Sequence, residues 1–415
     1  MSLSWHINLR LRDGQCCGYI WGMATARFLH AADLHLGSPL KSLGQRVPET
    51  IHKSAIELVN TVFQNLVDTA IREQVDFVVI AGDIYDQADR DPAAQVRVTL
   101  GFNKLSKAGI KVFLVHGNHD PLTPDFLSGG MLPEGVVVFP AREVASYSVK
   151  MRNGAVVTVA GVSYETAAEE SNLVPLFAQV KGDTIVGVLH TNVGGDNQHG
   201  NYAPCSVQDL ENSPVNYWAL GHIHDRQVHP TPKGFWAYPG NLQGRSTKPT
   251  ECGPKGVLIV EVDEDGSLNT PKFVACDALR FQRLSVDLTT VDNYNSVIPM
   301  VVTALENAVS ESDGQMLLVR LEFIGKSSIA VELNKNFEVL SEGIMNAVEP
   351  ILAGGAVTKI ENSCRDSINL EQERSRETLL GYLLRELDSV EDPVVDGETL
   401  AAVENLLSNS MGSRE

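Results

Sequence analysis

Aspartate, histidine and asparagine recur in this chain wherever an apolar run ends. "LHAADLHLGS" (29–38) sets Asp33 and His35 two residues apart, and "VVIAGDIYD" brings Asp83 and Asp86. "FLVHGNHD" brings Asn118, His119 and Asp120, "VGVLHTN" brings His190, and "ALGHIHD" brings His222 and His224. Carboxylates, imidazoles and an amide oxygen without a thiolate are the donors preferred by borderline-to-hard divalent ions such as Mn²⁺, Fe²⁺ or Zn²⁺. Each short motif is common by chance; the ordered set D-x-H, G-D-x-x-D, G-N-H-D, H, G-H-x-H is not. Asp33, His35, Asp83, Asn118, His190, His222 and His224 are too many ligands for one tetrahedral site. They suffice for two ions sharing a carboxylate, and Asp83, in the middle of the set, is the natural bridge. Two ions about 3.5–4 Å apart lower the pKa of a bridging water and neutralise charge on phosphoryl oxygens, the apparatus of in-line displacement at phosphorus.

Short apolar runs must position these groups. "RFLHAA", "FVVIAGD", "KVFLVHG", "VVTVAGV", "TIVGVLH" and "YWALGH" read as buried strands. An amphipathic helix is expected over 49–73, where Ile51, Ala55, Leu58, Val59, Val62, Leu66 and Ala70 recur at helical spacing, and a second over 92–107. Strand–helix–strand alternation over 24–276 means α/β. Ligands then gather where strands end, and Gly82, Gly117 and Gly221 directly before the polar residues permit sharp exits. From 234 to 276 the sheet is expected to continue without intervening helices.

The chain has 415 residues, 43% hydrophobic and 20% charged, which suits two or three soluble units. Residues 1–22 read as a disordered or expression-derived extension, with Met23 the natural start. Residues 23–279 read as the catalytic domain. Residues 280–362 form a small α+β unit, with strands "FQRLSVDLTT" and "MLLVRLEFIG" and helices near 292–310 and 334–349. Residues 363–415 are a helical segment. There Leu379, Leu380, Leu383, Leu384 and Leu387 form a stripe that docks either on its own domain or in a partner's groove. No apolar stretch is long enough to cross a bilayer, and the N-terminus has no continuous apolar core of a secretory signal. Cys16, Cys17, Cys205, Cys252, Cys276 and Cys364 form no C-x-x-C pair and fit a reducing cytoplasm. A net charge of −19 argues against broad clamping of nucleic acid, though not against a local basic patch.

These motifs resemble the calcineurin-like metallophosphoesterases. The resemblance implies a β-sandwich flanked by helices (αββα) with metals at the strand ends. It implies one metal on Asp33, His35, Asp83 and His224, and another on Asp83, Asn118, His190 and His222. It places His119 over the phosphate as acid or transition-state stabiliser, with Asp120 orienting its imidazole. "RFLHAADLHLGSPL", "VVIAGDIYD" and "YPGNLQGRS" further resemble the SbcD-type exonuclease subunits of DNA double-strand-break repair, in particular the YhaO-like branch. Asn241 stands where that group usually has serine.

That likeness implies a DNA exonuclease and endonuclease with a capping domain after 280. Its C-terminal segment would dock on an ABC-type ATPase with a long coiled coil, and homodimerisation is compatible with it. Mn²⁺ is the first expectation for the metals, with Fe²⁺, Zn²⁺ or Mg²⁺ as alternatives. Lys41, Arg46, Arg90, Arg245 and Lys248, in loops near the motifs, are candidate contacts to the DNA backbone, positioning it without reading bases. The competing readings are a hydrolase of small phosphoesters or nucleotides on the same core, and a non-catalytic docking subunit. Every ligand position is filled, which disfavours the latter.

Overall fold

The computed structural model describes residues 25–44, 46–85, 91–122, 132–195, 200–352, 354–367 and 374–388. The extension read at 1–22, Asp86, Arg90 and the end of the C-terminal segment lie outside the described residues. The chain divides into two compact units. One is Met1–Arg283 with Val309–Arg320 and Leu352–Lys359; the other is Leu284–Ala308, Leu321–Ile351 and Ile360–Glu415.

The first part of the chain runs β1 (Ala26–Ala31), α1 (Glu49–Val59), α2 (Val62–Arg72), β2 (Phe77–Ala81), α3 (Pro92–Lys107), β3 (Lys111–Val115) and β4 (Val136–Val138). It continues through β5 (Ala145–Lys150), β6 (Val156–Gly161), β7 (Thr184–His190), α4 (Val207–Asn212), β8 (Tyr217–Gly221), β9 (Gln227–Thr231), β10 (Gly234–Tyr238), β11 (Gly256–Val262) and β12 (Lys272–Ala275). Two six-stranded sheets result, ordered β12-β11-β1-β2-β3-β4 and β5-β6-β7-β8-β10-β9. β1 to β4 pair in parallel, as do β6, β7, β8 and β10.

Three apolar layers explain why the strands read as continuous runs. Phe28, Phe77, Val79 and Phe113 meet Val157, Val186, Val188 and Tyr217 between the sheets. On the other face of the first sheet, Leu29, Val78, Ile80, Val112 and Leu114 pack on Phe63, Leu66 and Val67 of α2 and on Val98, Phe102 and Leu105 of α3. Phe177 and Leu210 cover Trp218 and Trp236 on the outer face of the second sheet. Strands covered on both faces have no polar side to alternate. This is an α/β sandwich of two sheets flanked by helices.

The helix expected over 49–73 is two helices. Asn60 and Thr61 interrupt it, and Thr61 Oγ1 donates to the carbonyl of Leu58 at 2.7 Å, competing with the helical ladder. The strands expected to extend one sheet after 234 divide between two. β10 stays with the second sheet, while β11 crosses to pair antiparallel with β1 and β12 pairs beside it.

Later elements are β13 (Leu279–Asp287), α5 (Val297–Ser310), β14 (Met316–Ile324), β15 (Lys326–Ser327), α6 (Ala330–Lys335), α7 (Phe337–Val348), β16 (Ala356–Asn362), β17 (Arg365–Asp366) and α8 (Leu379–Asp388). β13, β14 and β16 form a three-stranded sheet with β14 in the middle. Val297, Val301 and Leu305 on α5, and Leu340, Ile344 and Val348 on α7, are buried stripes at helical spacing. The helix expected over 334–349 starts earlier as α6 and breaks at Asn336. On α8, Leu379, Tyr382 and Leu383 are exposed. Among the described residues no helix is long and apolar enough to cross a membrane.

Candidate metal centre

The C-terminal ends of β1, β2, β3, β7 and β8 bring the seven candidate ligands together. Asp33 and His35 follow β1, Asp83 follows β2, Asn118 follows β3, His190 ends β7, and His222 and His224 follow β8. The turns are tight enough to force left-handed backbone at Asp33 (φ 50°), His35 (φ 43°), Asp83 (φ 51°) and His222 (φ 105°). Non-glycine residues there cost about 1–3 kcal/mol each and persist only where the surroundings over-determine them. Here the amides of Asp33 and His35 donate to the carbonyls of Gly82 (3.1 Å) and Asp83 (3.0 Å), zipping two loops together. The amide of His222 donates to the Asp33 carboxylate at 3.0 Å. At Gly82 (φ 92°) a Cβ would sit 2.4 Å from His190 Nδ1, and at Gly221 one would sit 1.9 Å from the Ala81 carbonyl oxygen. Only glycine lets the two sheets approach this closely.

Asp83 stands in the middle. Its Oδ2 is 3.8 Å from His35 Nε2 and 3.5 Å from His190 Nε2, and its Oδ1 accepts the amide of His119 at 3.0 Å. Asp33 Oδ1 is 4.0 Å from His224 Nε2, which lies 3.1 Å from His35 Nε2. Asn118 Oδ1 is 3.0 Å from His190 Nε2. Potential ligand atoms of Asp33, His35 and His224 lie within 4.8 Å of one another, as do those of Asp33, Asp83 and His190. The same holds for His35, Asp83 and His119, so His119 reaches the centre as well. His222 joins through its ring, 5.3 Å from that of His190.

The histidines are held in chosen tautomers. His190 Nδ1 donates to the carbonyl of Ala81 (2.9 Å), His222 Nε2 to that of Gly200 (2.7 Å), and His224 Nδ1 to the Glu251 carboxylate (2.8 Å). A carbonyl can only accept, so the opposite nitrogen of each neutral ring is left with a lone pair. His224 Nε2 therefore faces His35 Nε2, and His190 Nε2 faces an amide oxygen, as acceptors that need a cation or proton between them.

Electrostatics point the same way. Burial and the neighbouring Asp83 raise Asp33 well above the usual carboxylate range. Burial, then Asp120, pushes Asp83 up to about 7. Burial lowers His35 and His224, and brings His190 down to about 4, so these imidazoles stay neutral. Buried carboxylates crowded together among neutral imidazoles gain from divalent cations, which supply the charge the donors lack. The donor set fits two such ions.

Asp120 is held by the main chain of two loops. Its Oδ2 accepts the amides of Ile84 (2.9 Å) and Tyr85 (3.4 Å), its Oδ1 accepts that of Gly117 (3.1 Å), and Oδ2 stands 3.5 Å from His116 Nδ1. Although burial opposes it, His116 and the amides hold the carboxyl below its usual range. Asp120 braces the loops after β2 and β3.

Of the basic candidates, Lys41, Arg46 and Lys248 are exposed, Arg245 is half-buried 3.7 Å from Glu251, and Arg90 is outside the described residues. Ser42 Oγ donates to the carbonyl of Arg245 at 3.2 Å, so the loops carrying Lys41 and Arg245 meet. The sequence reading missed Glu251, His116 and Tyr164. The Tyr164 hydroxyl donates to the carbonyl of His190 at 2.6 Å, and its ring lies edge-on to the imidazole. Glu251 and Tyr164 sit in no motif, although the apolar run before Tyr164 placed it near a strand end; His116 lies inside "FLVHGNHD", directly before G-N-H-D.

Residues 26–226 match the calcineurin-like phosphoesterase family, and residues 281–365 match the middle domain of metallophosphoesterase YhaO. The chain thus carries a calcineurin-like metallophosphoesterase domain, and the candidate ligands at the strand ends lie within the matched residues. It is similar to the uncharacterized metallophosphoesterase YhaO of Bacillus subtilis, 34% identical over 66% of each chain. It is 30% identical to the DNA double-strand break repair protein Mre11 of Aeropyrum pernix over 58% of this chain and 59% of that one. Identity to Mre11 of Sulfurisphaera tokodaii is 24%, over 59% and 61%. The chain spans 59% to 66% of the length of these curated relatives.

Proposed function

We propose that this chain is a two-metal phosphodiesterase that hydrolyses the DNA backbone as an exonuclease and endonuclease in repair, working in the cytoplasm with an ABC-type ATPase. The observation that carries the reading is the buried donor set around Asp83, within 4 Å of both His35 and His190. The relatives named for DNA double-strand break repair and the meeting of the loops bearing Lys41 and Arg245 support DNA as the substrate.

Asp33, His35, Asp83 and His224 would hold one divalent ion, and Asp83, Asn118, His190 and His222 the other, Mn²⁺ before Fe²⁺, Zn²⁺ or Mg²⁺. Bound there, such ions supply Lewis acidity and a lowered pKa for the attacking water. His119, its amide fixed on Asp83, presents its imidazole to the phosphate as acid to the leaving oxygen. Asp120 keeps the Gly117–Asp120 turn in place. Lys41, Arg46, Arg245 and Lys248 align the strand by its phosphates, independent of sequence. The exposed Leu379, Tyr382 and Leu383 of α8 suit docking on the ATPase. A small phosphoester or nucleotide is the alternative substrate class, favoured by the net charge of −19.

The test is cleavage of linear and hairpin DNA by the purified chain in Mn²⁺, beside Asp83→Ala. Cleavage by wild type alone supports the reading. Cleavage that persists in Asp83→Ala would place the activity elsewhere.

A further inference from the structure

Behind His224 lies a carboxylate that belongs to no motif. Glu251 ends the 3₁₀ turn Pro249–Glu251 and is only 6% exposed. Its Oε1 accepts the Nδ1 hydrogen of His224 at 2.8 Å. Its Oε2 accepts Asn241 Nδ2 at 2.8 Å and the amide of Arg245 at 2.9 Å. Both oxygens are committed, so the carboxylate cannot turn away from the imidazole. Lys255 Nζ donates to the carbonyls of His224 and Thr250, tying the main chains of the two partners together.

The chemistry of this arrangement is directional. A carboxylate on one ring nitrogen fixes the tautomer and ring plane, and increases the basicity of the other. His224 Nε2 is thereby aimed at the space it shares with His35, at 3.1 Å, and Asp33, at 4.0 Å. His190 and His222 donate to the main-chain carbonyls of Ala81 and Gly200, which are dipoles. His224 donates to a full negative charge. The two sides of the centre are therefore unequal in their backing.

We infer that Glu251 is a positioning residue for His224 and that it tightens the hold of the Asp33–His35–His224 side on its divalent cation. Asn241 is part of the device. Its amide reaches the Glu251 carboxylate, whereas the hydroxyl of a serine would end one bond closer to its own main chain. The inference rests on the metal-centre reading and is independent of the substrate.

Calorimetric titration of the metal-free full chain with Mn²⁺ alone tests it. Wild type should show two binding events. Glu251→Gln keeps an acceptor for Nδ1 and removes the charge, so one event should weaken by about 10- to 100-fold while the other stays within about twofold. Asn241→Ser should weaken that same event, by less. Melting curves check that each variant folds; if Glu251→Gln does not, Asn241→Ser decides alone. Wild-type affinities in the folded variants would overturn the inference, as would equal weakening of both events. A wild type that takes up no Mn²⁺ would remove the centre and the inference together. One that binds two ions yet cleaves no DNA would sink only the nuclease reading.

Discussion

Asp83 accepts the amide of His119, yet the proposed roles of the two differ, and mutation separates them. Asp83→Ala removes the carboxylate that faces both His35 and His190, so uptake of both ions and all hydrolysis should be lost. Titration with Mn²⁺ checks this, and two intact binding events would contradict it. His119→Leu leaves the donors around Asp83 in place. It should keep Mn²⁺ uptake while turnover falls by about 10²–10⁴-fold. Cleavage at the wild-type rate would show that His119 is not the acid. The candidate ligands at this scale were legible because residue type and order encode their chemistry, and the fold brings them to neighbouring strand ends. Glu251, His116 and Tyr164 were not, since a glutamate in a turn or a tyrosine after a strand has no distinguishing spacing; only folding brings Glu251 behind His224, Tyr164 behind His190 and His116 beside Asp120. Asp120 was found by its motif, but its bonds to main-chain amides could not be read from four letters.

The strands set the geometry, and two residues inside or at the end of strands test how. Gly221→Ala would put a methyl group 1.9 Å from the Ala81 carbonyl, the same oxygen that fixes His190 Nδ1. Forcing the sheets apart there should cost about 1–3 kcal/mol and weaken Mn²⁺ binding. An unchanged melting temperature would show that the contact relaxes freely. His30 on β1 spans the sandwich, with Nδ1 on the Tyr217 hydroxyl (3.0 Å) and Nε2 donating to the carbonyl of Leu220 (3.2 Å). Burial brings it from 6.5 down to about 3. Between those values the unfolded chain binds a proton that the folded chain refuses, so stability is full above pH 6.5 and falls as pH drops. This group alone contributes a slope of about 1.4 kcal/mol per pH unit. Denaturant unfolding of His30→Phe should show a shallower acid slope than wild type; equal slopes would exclude His30 as the source. Strands covered on both faces were legible as apolar runs. The break between α1 and α2 was not, because Ile51 to Ala70 keep helical spacing through it and nothing in the letters shows the bond from Thr61 Oγ1 to the Leu58 carbonyl that accompanies the break.

At the scale of the whole chain, sequence revealed α/β alternation but not which strands share a sheet. The return of β11 to β1 depends on packing between distant segments, and nothing in "GVLIVEV" specifies it. The C-terminal stripe was visible as leucines, and Leu379, Tyr382 and Leu383 are exposed on α8. If the proposed function holds, deleting residues 370–415 should leave DNA cleavage by the isolated chain intact while abolishing association with the proposed ATPase. Retained association in a pull-down would remove that reading. To act on DNA, a chain of net charge −19 would have to localise its phosphate contacts, so binding should depend on few cations and lose affinity with salt gently, roughly one power of salt concentration per contact. The most direct measurement is a paired assay in Mn²⁺, with linear and hairpin DNA in one arm, a phosphomonoester and a small phosphodiester in the other, and Asp83→Ala as control in both. The account predicts degradation of DNA that disappears in the variant. Turnover of the small esters alone would keep the metal centre and contradict the nuclease.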